Sequence, residues 1–125
     1  MTSGNINIGD AELEIMKVLW KAGEAVNSQY INEAVEERGW KRTTISTFLT
    51  RLVEKGALSA EKRGKLYYYT PLVSQRDYRK SQTKNLIASL YNGSIKDFAL
   101  SLFEEQTLSD EDIKELKGIF EDKED

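Results

Sequence analysis

The chain has 125 residues, with 18 Lys and Arg, 21 Asp and Glu, and neither His nor Cys. This length predicts one compact domain or two small modules that share a core, and the 39% hydrophobic content is typical of globular proteins. The missing residue types exclude disulfides, thiolate nucleophiles, imidazole bases and metal sites built on Cys or His. We therefore expect a protein that is not an enzyme and that holds no metal or cofactor.

The net charge of −3 is an average over blocks of opposite sign. Residues 38–84 contain twelve Lys or Arg and three Asp or Glu, which gives +9, whereas residues 1–37 carry −5 and residues 97–125 carry −8. A concentrated basic block is typical of proteins that bind a polyanion. The alternative is that basic and acidic blocks pair within the fold or between subunits.

Targeting signals are not evident in the sequence. Residues 1–10 lack the basic start and apolar run of a signal peptide, and no apolar stretch approaches the ~20 residues of a membrane span. We expect a cytoplasmic protein without membrane insertion.

Three helices are predicted in the first half of the chain. The first covers residues 11–21 with Asp10 as its N-cap, the second covers residues 28–37 with Asn27 as its N-cap, and the third covers residues 42–55. A glycine follows each helix at the position that favours a left-handed backbone: Gly23, Gly39 and Gly56.

The third predicted helix has two distinct faces. Its apolar face follows the i, i+3, i+4, i+7, i+8 pattern and consists of Ile45, Phe48, Leu49, Leu52 and Val53. The opposite face consists of Thr43, Thr44, Thr47, Thr50 and Arg51, with Ser46 at its flank. A solvated face would favour Glu and Lys, which form helices better than Thr.

Short hydroxyls and threonine methyls suit close contact with DNA phosphates and base edges. Lys41 and Arg42 lie at the N-terminal end of the helix, where a recognition helix enters the major groove. This face is therefore predicted to bind DNA. The alternative is a Thr-rich helix that packs against another part of the protein.

A β-hairpin is predicted after Gly56. Residues 57–62 and 66–70 favour strands, and the turn between them places three cations at the tip: Lys62, Arg63 and Lys65. These cations can contact a phosphate backbone, or they can protect an edge strand from aggregation. Three helices followed by a basic hairpin indicate a mainly α fold, a winged helix-turn-helix, over residues 1–72.

Residues 73–125 are predicted to form a helical dimerisation domain. Three capping sequences open helices at residues 75–92, 95–106 and 110–121: Ser74-x-x-Asp77, Ser94-x-x-Asp97 and Ser109-x-x-Asp112. Three short helices make a poor independent core, so a partner subunit is expected to cover their apolar side chains. The predicted interface consists of Leu86, Ile87, Leu90, Tyr91, Phe98, Leu102, Phe103, Ile113, Leu116 and Phe120. The alternative is a monomer whose last helices fold back on the first module.

Residues 40–58 resemble the recognition helix of the penicillinase repressors, the BlaI/MecI group. Residues 64–71 resemble the wing of that family, and residues 11–20 resemble its first helix, so the similarity extends over nearly the whole chain. The resemblance implies a homodimeric transcriptional repressor that binds a dyad operator in double-stranded DNA upstream of β-lactam resistance genes.

The resemblance also implies roles for individual residues. Thr43, Thr44, Ser46 and Thr47 would face base edges. Phosphates would be held by Arg42, Arg51, Arg63 and Lys65. The positions of Lys41 at the start of the helix and Lys62 at the hairpin tip predict the same role for these two residues.

Two departures from the family concern regulation. Copper-responsive relatives carry paired Cys, and this chain has none. The family is inactivated by proteolysis of an Asn-Phe bond in the second dimerisation helix, a process that a membrane sensor-protease system drives. The aligned bond here joins Ser101 and Leu102. The competing functional hypothesis is a winged-helix module that binds a partner protein and has no sequence-specific affinity for DNA.

Overall fold

The computed structural model describes residues 6–105 and 108–123, with side chains up to residue 119. Its elements, in chain order, are α1 (Asp10–Ala22), β1 (Val26–Asn27), α2 (Ser28–Ala34), a 3₁₀ turn (Glu36–Arg38), α3 (Arg42–Glu54), β2 (Leu58–Arg63), β3 (Leu66–Pro71), α4 (Gln75–Leu90), α5 (Ile95–Glu104) and α6 (Asp110–Lys123). The mainly α class with a β-hairpin after the third helix is confirmed.

The start of α1 differs from the prediction. Asp10 is the first helical residue, and Gly9 takes the N-cap position. The reason is that the Glu12 carboxylate reaches back and accepts a hydrogen bond from the Gly9 N–H at 2.9 Å. Asp10 still places negative charge in the first turn, where the helix dipole favours it.

The second helix is shorter than predicted. Asn27 caps α2 as expected, since its Oδ1 accepts a hydrogen bond from the Tyr30 N–H at 2.9 Å. The helix ends at Ala34, and residues 36–38 form a 3₁₀ turn that closes at Gly39 with φ of 72°. Glycine adopts this left-handed conformation without steric penalty.

The sheet contains a strand that the sequence did not indicate. The two-residue β1 pairs antiparallel with β3, so the strand order is β1-β3-β2. Strands β2 and β3 form the predicted hairpin in a register that pairs Leu58 with Pro71 and Arg63 with Leu66. We call this hairpin the wing.

The chain forms two compact units, and the first covers residues 1–83. The core of this first unit lies between α1, α2, α3 and the base of the wing. Its fully buried large side chains are Ile15, Met16, Leu19, Ile31, Leu52 and Leu58. On α3, Ile45 and Leu49 are also buried, while Phe48 and Val53 are partly buried against the core, which confirms the predicted apolar face. This burial fixes which face of α3 remains outside.

The first turns of α4 belong to the first unit and pack against α1. Trp20 Nε1 donates a hydrogen bond to the Val73 carbonyl at 2.9 Å, and the Trp20 and Tyr78 ring centroids are 5.9 Å apart. Tyr78 is buried although its neighbours in the sequence are mostly polar. The chain accordingly divides into two compact units at Thr83 and Lys84, inside α4.

The second unit begins at Lys84 and contains the end of α4 with α5 and α6. The predicted serine caps are confirmed: Ser94 Oγ accepts from the Asp97 N–H at 3.1 Å, and Ser109 Oγ accepts from the Asp112 N–H at 3.0 Å. At Ser109 the box is reciprocal, because Asp112 Oδ2 accepts from the Ser109 N–H. Helix α5 ends at Glu104 with Glu105 as its C-cap, before the predicted end at residue 106, which lies outside the described residues, as does the side chain of Phe120.

Candidate nucleic-acid interface

The face of α3 that points away from the core is rich in hydroxyl groups. Its exposed side chains are Thr43, Ser46, Thr47, Thr50 and Arg51, and we call this set the polar face of α3. Thr44 was predicted to lie on the same face, but it is only partly exposed, because it lies one turn before Phe48, which packs against the core. The polar face is otherwise where the helical periodicity placed it.

Two threonines of the polar face hydrogen-bond to their own helix. Thr47 Oγ1 donates to the Thr43 carbonyl and Thr50 Oγ1 donates to the Ser46 carbonyl, both at 3.0 Å. These bonds use the hydroxyl hydrogens, so each hydroxyl oxygen is left as an acceptor beside the methyl group of the same side chain. A methyl beside an acceptor suits contact with a thymine methyl or a base amino group.

The predicted phosphate-contacting cations are all exposed. Lys41 and Arg42 lie at the N-terminal end of α3, and Arg51 lies one turn before its C-terminal end. Lys62, Arg63 and Lys65 lie at the tip of the wing, where Gly64 takes φ of 66° to close the turn.

A cleft of about 360 Å³ separates α3 from the wing, and it carries positive charge on both walls. Arg42 and Ser46 line it from α3, and Lys65 and Tyr67 line it from the wing. Ser28 and Asn32 line it from α2. Sequence reasoning missed Ser28, Asn32 and Tyr67, since no pattern in α2 or the tyrosine run marks a neighbour of α3.

The three consecutive tyrosines of β3 have different surroundings because side chains alternate across a strand. Tyr67 is 49% exposed and borders the cleft. Tyr69 packs against the core. Burial raises the pKa of its hydroxyl, and the charge interaction with Tyr67 adds a smaller increase. Tyr68 lies on the other face of the wing, beside Arg63.

An ion pair fastens the end of α3 to α1. The Lys55 ammonium lies 2.5 Å from Glu12 Oε1, and the Glu12 side chain is only 6% exposed. Burial acts to raise the pKa of the Glu12 carboxyl, but hydrogen bonds from Lys55 and Gly9 and the charges of Lys55 and Arg51 outweigh it, so the pKa falls below its ordinary value of 4.5. The pair fixes α3 relative to the core and was not predicted.

At the wing tip, Arg63 is paired within the protein. Its Nε donates to Glu61 Oε1 at 3.0 Å, and its guanidinium carbon lies 4.8 Å from the centroid of the Tyr68 ring. Part of the basic block is therefore neutralised by acidic side chains within the fold, which was the alternative to a polyanion partner. The three ion pairs are Arg63–Glu61, Lys55–Glu12 and Arg38–Glu14.

Residues 6–105 and 108–123 contain neither a carboxylate metal site nor a membrane-spanning helix. Acidic side chains there form no group of three or more that could hold a metal ion. The helices of those ranges are too short or too polar to cross a membrane.

Three helices followed by a wing define a winged-helix protein. Its hydroxyl-rich α3 lies beside two groups of cations, which is the kind of surface that binds nucleic acids. The solution structure of the DNA-binding domain of the repressor BlaI has this fold, with a TM-score of 0.52 and 42% identity over 58% of this chain and 88% of that one. A second solution structure is the Bacillus licheniformis BlaI monomeric form in complex with the blaP half-operator. It gives a TM-score of 0.50 and 41% identity over 58% of this chain and 88% of that one.

Residues 8–122 match the family described as penicillinase repressor, and the chain belongs to that family. It is 38% identical to the penicillinase repressor of Bacillus licheniformis over 92% of this chain and 90% of that protein. It is 32% identical to the methicillin resistance regulatory protein MecI of Staphylococcus aureus strain N315 over 98% of this chain and all of that protein. The family consists of transcriptional repressors and not of enzymes.

Proposed function

We propose that the chain is a dimeric transcriptional repressor that binds a dyad operator in double-stranded DNA and controls β-lactam resistance genes. The observation that carries this proposal is the exposed polar face of α3 beside the cationic wing, in the fold that BlaI uses to bind its half-operator. The names of the relatives, penicillinase repressor and methicillin resistance regulator, support the class of regulated gene.

The geometry supports a division of labour within the interface. Thr43, Ser46 and Thr47 lie on the first two turns of α3, the part of a recognition helix that contacts base edges. Thr44, which is partly buried, adjoins them. The cations at the start of α3 and at the wing tip flank this patch, so they suit phosphates on either side of the groove.

Two variants test this division. Thr47→Ala removes a methyl and an acceptor but favours the helix, so α3 stays folded. We expect it to lower the ratio of operator to random-sequence affinity, by about tenfold for a lost base contact. Arg63→Ala is expected to weaken both affinities about equally and to flatten the salt dependence of binding by about one phosphate contact.

The matched control is Thr83→Ala, the same change at an exposed helical position outside α3. It is expected to leave both affinities unchanged in titrations of labelled duplexes. Equal weakening of both affinities by Thr47→Ala would overturn its assignment as a base contact. An absence of salt-sensitive binding to any duplex would favour the alternative, a protein-interaction module.

The same proposal assigns dimerisation to the C-terminal helices. None of the described side chains from residue 84 to 119 is buried, so this unit has no core of its own. Several large apolar side chains are instead exposed, among them Leu86, Leu90, Phe103 and Leu116. A second copy of the chain would remove this apolar surface from water, at about 25 cal/mol per Å².

Induction by proteolysis is the last part of the proposal. The Ser101–Leu102 bond lies inside α5, where Ser101 Oγ donates to the Phe98 carbonyl at 2.6 Å and accepts from the Tyr91 hydroxyl at 3.1 Å. Cleavage here would break α5 and release the repressor from DNA, with a membrane sensor-protease system as its trigger. Mass spectrometry of β-lactam-treated cells tests this, and full-length repressor in cells whose resistance genes are active would contradict it.

A further inference from the structure

Arg63 is held from two sides on the outer face of the wing. Glu61 and Arg63 are two residues apart on β2 and therefore share a face, and Tyr68 is the cross-strand partner of Glu61. The Arg63–Glu61 hydrogen bond and the Tyr68 ring below the guanidinium define one orientation of this side chain. The aromatic ring adds a cation–π attraction that limits its rotation.

This arrangement distinguishes Arg63 from the other cations of the interface. Within the described part of the chain, it is the one member of the six predicted phosphate-contacting cations that forms an ion pair. The pair is open to solvent, since the Arg63 and Glu61 side chains are 51% and 68% exposed. A phosphate can therefore reach the same guanidinium that the carboxylate holds.

We propose that Glu61 is an intramolecular competitor of DNA for Arg63, a role that rests on the proposed function. A carboxylate and a phosphate accept hydrogen bonds from the same guanidinium donors. When the DNA backbone approaches the wing, Glu61 must give up its bond or remain as a like charge beside the phosphate, and both lower the affinity. Tyr68 remains under the guanidinium in both states and keeps it at the wing surface.

The competition acts through a phosphate, so it does not depend on base sequence. Removing the Glu61 charge should raise the affinity for operator and for random DNA by the same factor. Exposed ion pairs have small coupling energies, and we expect a gain of about two- to fivefold for each chain bound. The salt dependence should become steeper, by up to about one phosphate contact per chain.

The test uses the full chain and two fluorescent duplexes, the chain's own upstream DNA and a scrambled version, titrated between 50 and 200 mM salt. Glu61→Gln is the test variant, and Glu61→Thr, which favours a strand and also lacks the charge, is the second. Glu24→Gln removes the same charge near the opposite end of the hairpin, where Glu24 borders a groove with Pro71, and is expected to change nothing. Thermal unfolding of each variant checks that the fold is kept.

A double-mutant cycle with Arg63→Ala isolates the pair. We expect Glu61→Gln to raise affinity in the wild-type background and to have a clearly smaller effect when Arg63 is absent. An unchanged or lowered affinity of Glu61→Gln, or the same gain in both backgrounds, would overturn the role of Glu61. The proposed function would still stand in that case, provided that the wild-type chain binds its upstream DNA. If the wild-type chain binds neither duplex, both inferences fail together.

Discussion

Glu12 is the residue on which the placement of α3 depends most directly. Its buried carboxylate joins the α1 N-terminus to Lys55 at the end of α3, and it is the one charged side chain in the core among the described residues. A carboxylate in this position is stable only while its two hydrogen-bond donors remain. Its ionisation state therefore links the stability of the first unit to pH.

The direction of that pH dependence follows from the lowered pKa of Glu12. A group whose pKa is lower in the folded state stabilises the protein at pH values above its pKa in the unfolded chain, which is about 4.5 for Glu12. This stabilisation is lost as the pH falls through the pKa of the folded state. Glu12→Gln should therefore reduce the free energy of unfolding by about 1–3 kcal/mol at pH 7. The difference from wild type should shrink as the pH approaches 3.

Denaturant unfolding of wild type, Glu12→Gln and Lys55→Met across this pH range checks the prediction. Lys55→Met leaves the carboxylate buried without its partner, so its effect should also be largest at neutral pH. A constant difference between wild type and Glu12→Gln from pH 7 to pH 3 would show that the ion pair does not carry the effect.

The residue scale also shows where sequence reasoning stops. Helical periodicity was sufficient to place Thr43, Ser46 and Thr47 outside, because burial of Ile45 and Leu49 fixes the rotation of α3. The partner of Glu12 was not predictable. Lys55 is 43 residues from Glu12, and only the packed structure brings the two side chains together.

The elements were predictable to the extent that their signals are local. The serine caps of α5 and α6 are set by residues three positions apart, and they were predicted correctly. The strand β1 is two residues long, so it shows no alternation, and its pairing with β3 depends on a strand 40 residues further on. The burial of Tyr78 likewise depends on Trp20, far away in the sequence.

Ser94 provides a test of how α5 supports assembly. Ser94→Ala removes the acceptor of the Asp97 N–H and should destabilise the helix by about 1 kcal/mol. If the second unit folds by dimerising, both subunits lose this stabilisation, and the dimer should be weakened by about 30-fold, measured by sedimentation equilibrium. Ser89→Ala, where the hydroxyl donates a long 3.4 Å bond within α4, is the control. Identical dissociation constants for Ser94→Ala and wild type would contradict a dimer that depends on α5.

At the scale of the whole molecule, the distribution of charge matters more than its sum. The net charge of −3 would suggest no affinity for DNA, but the exposed cations at both ends of the polar face belong to a block with a net charge of +9. Three carboxylates neutralise part of that block inside the first unit. The predicted phosphate-contacting cations other than Arg63 form no ion pair among the described residues, so their charge is available to a partner.

Truncation before Ser94 tests whether the C-terminal unit supplies avidity. The buried core lies between Ile8 and Tyr78, so a fragment of residues 1–93 should stay folded. We expect it to bind a half-site and to lose about 10²–10⁴-fold in affinity for a complete dyad, since the second binding event is no longer intramolecular. A fragment that binds the dyad as tightly as the full chain would contradict the dimerisation proposal. Circular dichroism of the fragment serves as the control for folding.

The most direct test of the central claim is a binding titration of the full chain on its own upstream DNA against a scrambled duplex, at several salt concentrations. A sequence-specific repressor should bind the upstream DNA about 10³-fold or more tightly than the scrambled duplex and protect two half-sites about one helical turn apart. Its affinity for both duplexes should fall steeply with salt. Equal affinities for the two duplexes, or no salt-sensitive binding to either, would contradict the proposal that this chain is an operator-binding repressor.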